Sequence, residues 1–472
     1  MREGSHVVII GGGPGGYEAA LVARQLGAAV TVVEKQGVGG SAVLTDVVPS
    51  KTLIATAEWM TVTESAAELG IRQAGSSTES PPVVDLAVVN ARVKELAQRQ
   101  SDDVLAQLQR EGIDVVAGKG RIDAELGADG TRAVYVTASN GEEHVLTADV
   151  VLIATGATPR ELPDAAPDGE RILTWKQMYD IGEMPEHLIV VGSGVTGAEF
   201  AGAYNDLGTH VTLVSSRERV LPGEDQDAAE LLEQVFRRRG MTVLSRSRAA
   251  TVERTDAGVA VTLTDGRVVE GSHCLVAVGS IPSTEGLGLE EAGVMLSPSG
   301  HVMVDRVSRT SAVRVYAAGD CTGELPLASV AAMQGRLAMW HSLGDAVAPL
   351  DIEAVTANIF TSPEIATIGA SEADVEAGDV DGVVSTVPLA RNPRAKMLGI
   401  HEGFVKVIAD RHSRIIIGGV VVAPRASELI YPLAVAVAQR ITADELANVY
   451  TIYPSLSGSI GEAARSLHNT GP

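Results

Sequence analysis

Short aliphatic runs, each ending at glycine or a polar turn, recur along this chain of 472 residues. His6–Ile10 is followed by Gly11-Gly12-Gly13-Pro14-Gly15-Gly16 and then by a stretch rich in alanine. The next aliphatic run, Val30–Val33, ends at Glu34. The same order returns at His187–Val191, where Gly192-Ser193-Gly194-Val195-Thr196-Gly197 precedes a second helix-forming stretch and the run His210–Val214. Unbroken aliphatic segments of this length predict strands buried on both faces, with helices between them. Val150–Gly156 (V-V-L-I-A-T-G) and Val315–Asp320 (V-Y-A-A-G-D) predict further strands of this kind. Residues Ala74–Pro82, rich in Ser, Thr, Gly and Pro, predict a surface loop between two helices. The longest apolar run, Ile415–Ala423, is far too short to span a bilayer.

Composition narrows the class. A 45% hydrophobic content, 50 glycines and scarce aromatics suit an α/β protein with many strand–helix turns, and the length allows three domains. A net charge of −23 argues against a nucleic-acid groove or insertion at an anionic membrane. Any phosphate ligand must therefore be held by local dipoles and a few basic residues. Two cysteines, Cys274 and Cys321, imply no disulfide framework. Met1 lies close to the first strand, so the expectation is a cytoplasmic protein without a signal peptide.

The first glycine-rich turn carries a full dinucleotide fingerprint. Gly11, Gly13 and Gly16 form G-x-G-x-x-G, a helix follows, and Glu34 stands at the next strand end to take ribose hydroxyls. The helix N-terminus supplies the positive pole for a pyrophosphate. Gly192, Gly194 and Gly197 repeat the pattern, yet the interval separating Gly13 from Glu34, counted from Gly194, ends at Ser215. The run Ser215-Ser216-Arg217 lacks the acid that would repel a 2′-phosphate, so NADPH is expected here, with NADH possible. The bland alternative is a polar loop with solvated arginines.

From about residue 5 to about residue 465 the chain resembles the pyridine nucleotide-disulfide oxidoreductases. Besides the two fingerprints, the resemblance rests on A-T-G at Ala154–Gly156, on Cys274–Thr284 at the exit of the second module, on V-Y-A-A-G-D, and on Phe360–Ala366 (F-T-S-P-E-I-A). It implies an α/β fold with two Rossmann-like dinucleotide-binding domains, one for FAD and one for NAD(P), plus an α+β C-terminal dimerisation domain. The implied boundaries are 1–157 with 283–348 for FAD, 158–282 for NAD(P) and 349–472 for the interface of a homodimer. The FAD positions so implied are Gly11, Gly13, Gly16, Glu34, Lys35, Gly40, Ser41, Lys51, Gly120, Thr155, Gly156, Asp320 and Ala328. Those for NAD(P) are Gly192, Gly194, Gly197, Glu199, Ser215, Ser216, Arg217 and Gly279. Lys51 and Glu199 match a lysine beside flavin N5 and the glutamate that pairs with it, so both are catalytic candidates. No metal site is expected.

Four residues of the family's thiol chemistry are absent. The redox-active cysteines of its G-G-T-C-x-N-x-G-C-x-P-S-K segment fall on Ala42 and Val47 in Gly39–Lys51. The histidine and glutamate of its H-P-T-x-S-E segment fall on Tyr453 and Gly458. A phenol of pKa near ~10 is a poor base at neutral pH but a good hydrogen-bond donor. Reduction of disulfides or lipoamide through a dithiol is therefore excluded. Ala42, Val47 and Tyr453 would frame an apolar acceptor pocket beside the flavin, suited to a quinone. The expected activity is oxidation of NAD(P)H with reduction of quinone-like acceptors. A soluble transhydrogenase and a non-catalytic flavin-binding subunit are the alternatives.

Overall fold

A computed structural model describes residues 4–66, 70–71 and 83–468, so the loop expected at residues 74–82 lies outside the described residues. The chain divides into two compact units, residues 1–50, 90–160 and 279–351 forming one and residues 51–89, 161–278 and 352–472 the other.

In the first unit, β1 (His6–Ile10), β2 (Ala29–Glu34), β3 (Asp114–Ala117), β7 (Val150–Ile153) and β18 (Val315–Ala317) form a parallel sheet in the order β18-β7-β1-β2-β3. Successive side chains of β1 enter two different cores, as the pleat requires. Val7 and Ile9 pack with Ala19, Ala20 and Ala23 of α1 (Pro14–Gln25) and with Ala338 and Met339 of α7 (Ala328–Ser342). Val8 and Ile10 join Ile122, Val134 and Val136 on the opposite face. Those three residues belong to an antiparallel sheet of β4 (Lys119–Leu126), β5 (Arg132–Thr137) and β6 (Glu143–Ala148). The short strands β8 (Ala157–Pro159) and β17 (Ser280–Pro282) pair antiparallel. α2 (Gly40–Leu44) precedes α3 (Val47–Ser65), and α4 (Leu86–Arg110) leads into β3.

The second unit repeats the parallel design. β9 (Ile172–Leu173), β10 (His187–Val191), β11 (His210–Val214), β12 (Thr242–Leu244) and β16 (His273–Val276) are ordered β12-β11-β10-β16-β9, with α5 (Val195–Asp206) and α6 (Gln226–Arg238) as crossovers. An antiparallel flap comprises β13 (Ala249–Arg254), β14 (Val259–Leu263) and β15 (Val268–Gly271). The C-terminal part is an antiparallel sheet, β19-β20-β23-β22-β21 (Thr356–Ile359, Glu364–Gly369, Ile416–Ala423, Phe404–Asp410, Gly382–Pro388). The long apolar run of the sequence is thus the central strand β23. Val405, Val407 and Val421 pack with Leu433 and Ala436 of α11 (Tyr431–Ala438) and with Ile460 and Ala463 of α13 (Gly458–Ser466). Short helices α8 (Glu372–Ala377), α9 (Pro393–Met397), α10 (Ala426–Leu429) and α12 (Ala443–Ala447) complete this part. Among the described residues no helix is long and apolar enough to cross a membrane.

Between Val405 and Val407, Lys406 points to the other side of β22 and is only 1% exposed. Its ammonium donates to Asp225 at 2.8 Å, to Asp227 at 2.9 Å and to Glu372. Asp225 also caps α6 by accepting from Ala228 N–H. Burial alone would lower the lysine's pKa, but the hydrogen bonds to the carboxylates outweigh it and hold the ammonium charged. This ion cluster joins the second dinucleotide module to the C-terminal sheet within one unit. Lys406→Met leaves the buried Asp225 carboxylate uncompensated and should cost about 3–5 kcal/mol. Loss of the more exposed Asp227 by Asp227→Asn should cost less than about 1 kcal/mol. Urea unfolding of both variants checks this, and equal losses would contradict it.

Candidate nucleotide-binding and redox site

The two glycine-rich turns have the same geometry. A Cβ on Gly11 would lie 2.2 Å from the Ala154 carbonyl oxygen, and one on Gly192 would lie 2.2 Å from that of Ala277. Both glycines have positive φ, 107° and 115°. A Cβ on Gly16 or Gly197 would lie 1.9 Å from the carbonyl oxygen of Gly11 or Gly192. These glycines are required by the protein's own backbone. Gly13 and Gly194 are different. They sit at the N-caps of α1 and α5 with ordinary φ values of −69° and −74°, and a Cβ there would meet nothing within 4 Å. Nothing in the fold needs glycine at these two positions, so the open space in front of each helix N-terminus is a cradle that a bound group's phosphates fit.

A second segment reaches the turn at Gly13. Gly39 N–H donates to Gly12 O at 2.8 Å, and a Cβ on Gly40 would lie 2.9 Å from Gly13 Cα, so the segment carrying Gly40 and Ser41 closes over the turn. Glu34 accepts from Gly12 N–H at 2.6 Å and from Gln36 N–H at 2.8 Å. A carboxylate has lone pairs left over for ribose hydroxyls. Lys35 beside it is exposed. Thr155 and Gly156 follow β7, and Asp320 follows β18 through Gly319. Burial raises the pKa of the Asp320 carboxyl. Ala328 opens α7, and Gly120 lies on β4, where a Cβ would press on Ile10 at 2.9 Å. In the second unit the acid of the first module has no counterpart: Ser193 and Ser215 share a hydrogen bond of 2.6 Å between their hydroxyls. Ser216 and Arg217 follow it on the surface, and Gly279 (φ 96°) follows β16 in the chain.

Lys51 and Glu199 do meet. The ammonium donates to Glu199 Oε2 at 2.7 Å, with side-chain exposures of 25% and 4%. Glu199 Oε1 accepts from Phe360 N–H at 2.9 Å, and the Phe360 ring centroid lies 4.9 Å from Lys51 Nζ. Both oxygens of a buried carboxylate are thus satisfied, and the ammonium is held between a carboxylate and an aromatic face. In the sequence Phe360 stands out only as part of the run F-T-S-P-E-I-A. Its role here is a contact between segments far apart in the chain, for which no local signal exists.

Ala42 lies in α2 and Val47 opens α3, both partly exposed. Cys274 and Cys321 are both free and fully buried. Burial pushes the Cys321 thiol up to about 11 and that of Cys274 up further, so neither is a ready thiolate. Tyr453 is 82% exposed, in a run with exposed Val449, Tyr450 and Ile452 between α12 and α13. Gly458 opens α13, and His468 at the end of the described chain pairs with Asp444. Among the described residues no group of three or more His, Cys, Asp or Glu could hold a metal ion.

Two parallel-sheet modules with glycine cradles, and a half-buried lysine paired with a buried glutamate of the second, define a two-nucleotide oxidoreductase architecture. Residues 5–335 match the profile described as pyridine nucleotide-disulphide oxidoreductase, and residues 355–464 match its dimerisation domain. The chain belongs to the pyridine nucleotide-disulphide oxidoreductase family, whose members depend on FAD and a pyridine nucleotide. It is 53% identical to an NAD(P)H dehydrogenase (quinone) of Mycobacterium tuberculosis over 98% of this chain and 94% of that protein. A dihydrolipoyl dehydrogenase of Zymomonas mobilis is 31% identical over 99% of this chain and all of its own length. The crystal structure of LpdA from M. tuberculosis superposes with a TM-score of 0.94 at 53% identity, covering 98% of this chain and 100% of that one. The HOCl-induced flavoprotein disulfide reductase RclA of Escherichia coli shares the fold, with a TM-score of 0.85 at 22% identity over 98% of this chain and 99% of its own.

Gly194→Ala should cost no more than about 1 kcal/mol of stability while raising the KM for the nicotinamide nucleotide. Gly197→Ala, with its methyl driven into a carbonyl, should cost at least about 1–3 kcal/mol or prevent folding. Urea midpoints and KM values of the two variants test the distinction; indistinguishable midpoints would refute it.

Proposed function

We propose that this protein is an NAD(P)H:quinone oxidoreductase that has given up thiol chemistry. The observation carrying this reading is Ala42 and Val47 at the two positions where the family places its redox-active cysteines. Tyr453 and Gly458 in place of the acid–base pair point the same way. The name of the M. tuberculosis relative, NAD(P)H dehydrogenase (quinone), supports the acceptor class.

FAD, held at the first module by Gly13, Gly40, Ser41, Glu34, Thr155, Gly156 and Asp320, would supply the two-electron relay between nicotinamide and acceptor. The second module receives the nicotinamide nucleotide on Gly192, Gly194 and Gly197. With Ser215 where the first module has its strand-end acid, and with Ser216 and Arg217 beside it, the ribose end favours NADPH over NADH. Lys51, oriented by Glu199 and Phe360, provides the positive charge that favours electron density arriving at its end of the site. Ala42 and Val47 leave aliphatic walls, and Tyr453 contributes a hydroxyl donor from the partner of a homodimer. The domain assignment follows: residues 1–157 with 283–348 for FAD, 158–282 for NAD(P) and 349–472 for the dimer interface. The match to a dimerisation domain and the exposed apolar run at residues 449–453 support the last of these.

Anaerobic mixing of the NADPH-reduced holoprotein with a soluble naphthoquinone or with NAD⁺ tests the reading. Fast reoxidation by the quinone is expected, with no turnover of lipoamide. Reoxidation by NAD⁺ alone would make the protein a transhydrogenase, and no reduction by NADPH or NADH would leave a flavin-bearing scaffold. Ala42→Leu, by crowding the pocket, and Tyr453→Phe, by removing a hydrogen-bond donor, should each raise the quinone KM by roughly threefold to tenfold. Unchanged acceptor kinetics in both variants would remove the pocket from the proposal.

A further inference from the structure

The loops leaving the carboxyl ends of β11 and β12 carry arginines, and their backbones hold those arginines side by side. The β11–β12 register ends at Val214 opposite Leu244. Beyond it, Ser215 N–H donates to Leu244 O at 2.9 Å, Ser247 N–H to Ser215 O at 2.7 Å, and Arg246 N–H to Arg217 O at 2.7 Å. The ladder thus continues past the strands and fixes Arg246 next to Arg217 in space, although they lie far apart in the sequence. Arg246 adopts a left-handed conformation, φ 52°, which costs energy for a residue with a side chain. Open ligand sites in parallel sheets lie at this carboxyl edge.

Ser215 itself cannot reach outward. It is fully buried; its hydroxyl shares a hydrogen bond with Ser193, accepts from Arg217 N–H at 3.1 Å and lies 3.3 Å from Arg217 O. Its service is to turn the loop so that Ser216 and Arg217 face solvent. Arg217 makes no ion pair among the described residues, while Arg246 pairs with Glu218, the two side chains being 74% and 72% exposed. The Nε of Arg219, in the same loop, is buried without a hydrogen-bond partner among the described residues. An exposed Arg–Glu pair contributes little, whereas a guanidinium on a phosphate dianion makes short, charge-assisted and often bidentate hydrogen bonds. A phosphate arriving between the two loops would therefore displace the glutamate.

We infer that Arg246, from the β12 loop, joins Arg217 in holding the 2′-phosphate of NADPH, and that Glu218 is an internal competitor occupying Arg246 until the phosphate arrives. The inference rests on the reading that the second module accepts NADPH. Glu218 then tunes selectivity from within the site: its charge opposes the 2′-phosphate and is neutralised by Arg246 when NADH binds. Ser193 and Ser215 are positioning residues.

The test uses the holoprotein, with 2′,5′-ADP and 5′-ADP as binding probes and the NADPH/NADH ratio of kcat/KM as the readout. Arg246→Ala should lower that ratio about tenfold and weaken 2′,5′-ADP by a similar factor relative to 5′-ADP, as expected for one lost charge-assisted contact. Glu218→Gln should move both quantities the other way, by about threefold, the scale of an exposed ion pair. Opposite shifts in the two variants mark selectivity, since damage to the loop would shift both in one direction. If the wild type binds 2′,5′-ADP no better than 5′-ADP, the NADPH reading fails and this inference with it. If the wild type discriminates but Arg246→Ala leaves both ratios unchanged, only the role of Arg246 is overturned.

Discussion

Two backbone contacts too close for any side chain organise this protein. At Gly11 against Ala154, and again at Gly192 against Ala277, a glycine lies where a Cβ would strike a carbonyl oxygen of the neighbouring parallel strand. The contact brings the strand end beside the next strand and turns the chain at once into a helix. The second close approach, Gly16 on Gly11 and Gly197 on Gly192, presses the helix onto the turn that launched it. The helix N-terminus is thereby aimed at the carboxyl edge of the sheet, where its unpaired N–H groups and positive pole face an open cradle. The remainder of each module follows from that placement: the next strand leads to Glu34 in one case and to Ser215 in the other.

The same scaffold used twice lets small differences decide function. The first module keeps a carboxylate that accepts from its own glycine turn, while the second replaces that contact by two hydroxyls. A His–Thr contact recurs as well, His6 with Thr31 and His187 with Thr212, at corresponding positions of the two sheets. Such matching detail indicates that the modules share a strand register as well as a motif. The two modules thus differ in the charges that their loops carry on a shared geometry.

Two ion clusters hold charge away from water in compensated form. Lys406 lies among three carboxylates, and Lys51 has a carboxylate beside it and an aromatic face beneath it. In both clusters the partners come from segments far apart in the sequence, so each cluster forms only when its unit is assembled. Charge pairing of this kind specifies which segments must meet, beyond what apolar packing alone would select.

Much of this was legible in the residues. The strands His6–Ile10, His187–Val191 and His210–Val214 coincide with β1, β10 and β11, because aliphatic runs bounded by glycine leave few alternatives once both faces must be buried. The glycine spacing foretold both turns, since backbone contacts forbidding a Cβ write themselves directly into sequence. That Ala42 and Val47 are aliphatic was equally plain, because residue identity needs no structure to be read. What the sequence could not show was which distant groups would meet. Phe360 beneath the Lys51–Glu199 pair, Lys406 among its carboxylates, Ser215 turned inward to Ser193, and Arg246 beside Arg217 are all decided by tertiary structure. Local propensity is blind to such contacts, because they depend on hydrogen bonds and charge pairs between distant segments that exist only once each unit has assembled.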